Sequence, residues 1–266
     1  MSSETMNYEK KFAEVGGYRL AYVEEGTGDP IVLLHGNPTS SFLWRNVIGH
    51  LTGSGRVIVP DLIGHGDSDK LPVELGPGRY TFETTYELLS GLLEQLGVTT
   101  NVLLVIHDWG SALGFHWARN HADAVRGIAY MEGIVQPVEW DDWPEAAQGI
   151  FKGFRSDKGE DLVLERNMFV DAVLPGSVIR DLTETEMANY RAAFVTPDDR
   201  QPTLNWPRQI PISGEPPEMV ALVQAYADFM AQSQLPKLFI NAEPGSILVG
   251  KQREFCRSWD RKSTRL

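Results

Sequence analysis

In the stretch LLVIHDWGSALGFHW, residues 103 to 117, an acidic residue stands where an apolar run gives way to a turn and a helical pattern. Asp108 therefore sits where a strand hands over to a helix, a geometry that presents a side chain at the edge of a sheet. The familiar elbow for a nucleophile reads G-x-S-x-G, whereas here Ile106 and Asp108 occupy the first glycine and serine positions. A serine hydroxyl must lose a proton before it attacks, but a carboxylate is already ionised at neutral pH and attacks carbon unaided. The alternative is that Asp108 caps the helix that follows.

Three further residues fall at comparable places. Asn37, in LLHGNPTSS, ends another buried run, and its amide offers hydrogen bonds to negative charge; the indole N–H of Trp109 is a second donor. An ordinary turn residue and a core aromatic are the competing readings. Glu132 closes IAYMEG, and a carboxylate ending an apolar strand is costly unless it is paired or catalytic. It would orient a histidine, as the third member of a triad does, or pair with Arg126 or a cation of the lid.

The elements needed to hold these residues are legible as an alternation. YRLAYVEEG (18 to 26) reads as a half-exposed strand of a hairpin. The runs at 30–36, 56–62, 101–108, 125–132 and 236–243 read as buried strands, with helices from about Thr84 to Leu96 and Ser111 to His121. The fold class is α/β, a mostly parallel sheet flanked by helices. From about Val135 to Ile212 the chain is rich in Trp, Phe and Pro and reads as an inserted helical cap, whose underside must face the carboxyl edge of the sheet. Trp140, Trp143, Phe151, Phe154, Phe169, Leu174 and Trp206 serve that underside or the cap's own core. The resulting division is 1–134 and 213–259 for the core and 135–212 for the cap.

The 266 residues are 42% hydrophobic, ample for a full core, and their formal charge of −12 disfavours nucleic acid and anionic membranes as partners. A neutral or apolar small molecule fits better. Cys256 is the single cysteine, so neither an intrachain disulfide nor a cysteine metal cluster is expected; no metal or other cofactor is implied. With no export signal and no long apolar run, the expected location is cytoplasmic.

Taken together, HGNPTSSFLWRN (35 to 46), PDLIGHGDSDK (60 to 70), HDWGSALGFHWA (107 to 118), WPRQIPISGEP (206 to 216) and PKLFINAEPGSI (236 to 247) resemble the haloalkane dehalogenases, a branch of the α/β-hydrolase fold. The likeness runs from about Phe12 to Trp259. It implies displacement of halide from a small halogenated alkane by Asp108, followed by attack of water on the alkyl ester. Asn37 and Trp109 would cradle the halide ion, and Glu132 would partner the base. The resemblance also implies that Phe151, Phe169, Leu174, Trp206, Pro207, Ile210 and Leu248 line the slot. An epoxide hydrolase-like relative would also use an aspartate but would present two cap tyrosines, and the cap here holds only Tyr190. A non-catalytic fragment is the remaining alternative.

One departure stands out. The family's base is a histidine near the C-terminus, whereas the six histidines here are His35, His50, His65, His107, His116 and His121. His35 and His107 read as structural, since His107 should face away from its neighbour Asp108. The closing DRKSTRL (260 to 266) leaves the likeness abruptly, and one set of codons for it reads as a common sequencing-library adapter. The expectation is a non-native tail on a C-terminally truncated chain, its last strand and helix missing and an apolar sheet edge exposed near Leu238.

Overall fold

The computed structural model describes residues 3–143 and 145–259; the expected non-native tail, 260–266, lies outside the described residues. The strands are β1 (Lys10–Val15), β2 (Tyr18–Glu25), β3 (Pro30–Leu34), β4 (Arg56–Pro60), β5 (Val102–Asp108), β6 (Val125–Gly133) and β7 (Lys237–Phe239). The helices are α1 (Ile48–Leu51), α2 (Phe82–Gln95), α3 (Trp109–Asn120), α4 (Glu145–Arg155), α5 (Leu174–Gly176), α6 (Glu184–Arg191), α7 (Gln201–Gln209), α8 (Pro217–Gln232) and α9 (Gly250–Trp259). The strands form one sheet in the order β1-β2-β4-β3-β5-β6-β7. The two pairings made by β2 are antiparallel, and the pairings from β4 through β7 are parallel.

Alternation along the strands explains why both faces are apolar. In β3, Val32 and Leu34 join one core with Leu104 and Ile106 of β5, beneath α2, α3 and α8. Ile31 and Leu33 point the other way, against Trp44 and Ile48. A parallel sheet covered on both sides calls for such unbroken apolar runs, and each fully buried large side chain contributes about 2 kcal/mol. Helix α2 starts two residues earlier than expected, because Thr81 caps it by accepting the Thr84 N–H at 3.1 Å.

Every described helix or strand between β6 and α8 is helical in kind, including two π-helical turns, Glu160–Glu165 and Phe169–Val173. Asn167 lies between these turns with a φ of 52°. The segment is tied to the core by a buried ion pair: Glu186 of α6 accepts from Arg45, beside the start of α1. Strand β7 is shorter than its apolar run, pairing with β6 from Ile128↔Lys237 to Tyr130↔Phe239. Its Leu238, and Ile240 just beyond it, are 51% and 44% exposed.

Candidate active site

The turn after β5 is strained. Asp108 has φ 51° and ψ −129°, a region non-glycine residues rarely occupy. The register against β6 slips there: His107 faces Met131 but Asp108 faces Gly133, leaving Glu132 bulged with a φ of 38°. Asp108 makes no side-chain cap to α3. Its Oδ1 instead accepts the backbone N–H of Asn37 at 2.7 Å, across from the end of β3. That approach needs Gly36, since a Cβ there would collide with Asp108 Oδ1 and the Trp109 nitrogen. Burial pushes the Asp108 pKa up, while His107 and the N–H groups of Trp109 and Asn37 oppose the rise.

Asn37 and Trp109 flank this carboxylate. The Asn37 Nδ2 reaches Thr203 O only at 3.5 Å, the outer limit of a hydrogen bond, so it remains available as a donor. Trp109 is 2% exposed, and its ring lies 4.5 Å from that of Trp206 on α7. The first residue of α3 thus meets the helical segment directly.

Among the described residues, neither Arg126 nor a cation of the helical segment pairs with Glu132. Arg126 is exposed, and Glu132 Oε2 accepts the backbone N–H groups of Ser246 and Ile247 at 2.6 and 2.7 Å, in the loop after β7. Oε1 is buried and has no partner among the described residues. His107 lies on the Val105 side of β5, where burial lowers its pKa against the pull of Asp108 and Glu132. His35 is structural: its Nε2 accepts the Leu62 N–H at 2.9 Å, and burial holds its pKa near 4. It sits beside Asp61, whose burial would raise its pKa but for Lys10 and His35, which hold it low.

The expected slot residues divide into groups. Trp206, Ile210 and Leu248 share one core cluster with Trp109, and Phe151 packs against it. Pro207 is buried next to Trp206. Phe169 packs edge-on to Phe151 and tilted against Phe154, with centroids at 6.0 and 5.4 Å. Leu174 packs apart from these, with Phe42 and Tyr190. Sequence reasoning missed Ser111, which accepts the N–H of Ile134 from 23 residues away, and the close approach of Asp108 and Trp109 that requires glycine at position 36. Among the described residues no group of His, Cys, Asp and Glu is arranged to hold a metal ion, and no helix is long and apolar enough to cross a membrane.

A mostly parallel sheet with a strained strand-to-helix turn after β5 defines the class of α/β hydrolases, and the family model described as alpha/beta hydrolase fold matches residues 29–203. A haloalkane dehalogenase from Sphingobium indicum is 55% identical over 252 residues, 94% of this chain and 85% of that protein. One from Mycolicibacterium smegmatis is 48% identical over 94% of this chain and 80% of its own length. Among solved structures, haloalkane dehalogenase DbeA from Bradyrhizobium elkani superposes with a TM-score of 0.88 at 38% identity, covering 95% of this chain and 87% of that one. The chain belongs to the haloalkane dehalogenases.

Proposed function

We propose that this protein cleaves carbon–halogen bonds of small haloalkanes hydrolytically, with Asp108 as nucleophile. The observation that carries this reading is the Asp108 carboxylate itself: it stands on a strained turn, leaves α3 uncapped, and is oriented by the Asn37 N–H at 2.7 Å. In-line attack on saturated carbon forms an alkyl ester and expels halide. The Asn37 amide and the Trp109 indole stabilise the departing anion where water cannot. When water then adds to the ester carbonyl, charge grows on an oxygen already facing backbone N–H donors. Alcohol and halide are the products, and no cofactor takes part.

The second step needs a base oriented by Glu132, whose Oε1 has no partner among the described residues. No histidine follows His121 in this sequence, and His107 lies on the other side of β5. The 266-residue polypeptide is therefore expected to release at most one halide per site and to remain as the alkyl ester. Residues 135–212 act as the cap over this slot, and a cytoplasmic location without nucleic acid or membrane partners belongs to the same reading.

Intact mass after incubation with a brominated alkane tests it. One alkyl adduct mapping to Asp108, absent in Asp108→Asn, is the expected result. An unmodified protein would make the chain a non-catalytic relative, and repeated turnover would show that another group supplies the base.

A further inference from the structure

Ser111 lies in the first turn of α3 and is fully buried. Its hydroxyl is used in both directions. Oγ donates to the carbonyl oxygen of Asp108 at 2.5 Å and accepts the N–H of Ile134 at 2.8 Å. A bond from a serine to the carbonyl three residues back is ordinary local structure near a helix start. The second bond is not local: it crosses 23 residues of chain to reach the end of β6.

What the hydroxyl joins are two strand ends, each bearing a strained residue. Asp108, at φ 51°, carries one bond, and Glu132, at φ 38°, lies two residues before the other. The sheet register slips between His107 and Asp108, so the ladder alone does not fix how the two carboxylate-bearing strand ends sit. Ser111 bridges that irregularity with one atom. Gly133 leaves the room for it, since a Cβ there would lie 2.6 Å from Ser111 Oγ and 2.8 Å from its Cβ.

We propose that Ser111 is a positioning residue for the reaction, its hydroxyl fixing the turn so that the Asp108 carboxylate stays aligned for attack in register with the strand end that bears Glu132. The inference rests on Asp108 being the nucleophile. Strained backbone persists only where its surroundings over-determine it, and a shift of about 1 Å in a reacting group costs on the order of a hundredfold in rate.

The test is single-turnover bromide release from a bromoalkane by the wild-type chain, Ser111→Ala and Ser111→Thr. Halide affinity, from tryptophan quenching, and the thermal midpoint are measured alongside. The expected result is an alkylation rate constant about tenfold to a hundredfold lower in Ser111→Ala. Its burst amplitude per folded site and halide affinity stay unchanged, and Ser111→Thr restores most of the rate. A wild-type rate constant in Ser111→Ala overturns the proposal. So does a deficit confined to amplitude in proportion to lost folded protein, which would mark a purely structural role. If the alanine variant does not fold, Ser111→Cys, which nearly keeps the volume with a weaker donor, provides the same comparison. Failure of the wild-type chain to form an adduct would instead remove the reading of Asp108, before any Ser111 variant is compared.

Discussion

At the scale of the residue, the proposed role of Asp108 makes its charge decisive for the first bond. In that role only the carboxylate attacks, and burial raises its pKa from the ordinary 3.8, so protonation would remove the proposed nucleophile at a higher pH than for an exposed aspartate. Single-turnover halide release should accordingly decline as pH falls while the carboxylate range is still some way below. A rate that stays flat down to the pH where exposed aspartates titrate would contradict this environment. Asp108, Asn37, Trp109 and Glu132 were legible because each polar or aromatic group ends or follows an apolar run. The bonds around them were not. The sequence offers Glu132 a histidine to orient, or else Arg126 or a cap cation as partner, yet two backbone N–H groups of the loop after β7 bond its Oε2, and no local pattern at residue 132 announces a loop more than a hundred residues away. Ser111 was hidden for the same reason.

At the scale of the element, alternating strands and helices could be read directly, since buried parallel strands are continuous apolar runs and helices carry caps such as Thr81. The π-helical turns could not, because no residue type marks their wider spacing. The attachment of α6 to the core was equally invisible. Glu186 is buried and accepts from Arg180 at 2.5 and 2.7 Å, from the Thr183 N–H at 3.0 Å and from Arg45. Arg180 leads in lowering its pKa, and despite opposing burial the value falls to about 2, against 4.5 for a free glutamate. A carboxylate depressed in the folded state stabilises it above the unfolded pKa, and that contribution disappears as pH drops from 4.5 towards 2. Glu186→Gln should cost about 3 kcal/mol at neutral pH, because it leaves the buried Arg45 uncompensated. Urea titrations at neutral pH and near pH 2 should show the gap between variant and wild type narrowing in acid. An equal gap at both would remove the ion pair as its source.

At the scale of the molecule, the two faces of the sheet are unequal. Helices α2, α3 and α8 cover one. On the other, Leu103, Ala129 and Met131 are only partly buried, and the register places Leu238 opposite Ala129 at the β7 edge. With Leu238 and Ile240 about half exposed, apolar side chains lie at the β7 edge, where the sheet ends among the described residues. Concentration-dependent light scattering is the expected behaviour of the 266-residue chain, and Leu238→Lys combined with Ile240→Thr should reduce it without altering Asp108 alkylation. Monodisperse wild-type protein at high concentration would show that this face is not sticky.

The contact between Trp109 and Trp206 has an optical consequence. Two indoles with centroids 4.5 Å apart and planes tilted by 35° have transition dipoles close enough to couple. Their shared absorption imposes a paired positive and negative band on the ultraviolet circular dichroism. One ring opens α3 beside Asp108 and the other rides on α7, so that couplet is a spectroscopic ruler between the turn and the helix above it. Anything that lifts α7 away from Trp109 changes the couplet's strength before any bond to carbon is made.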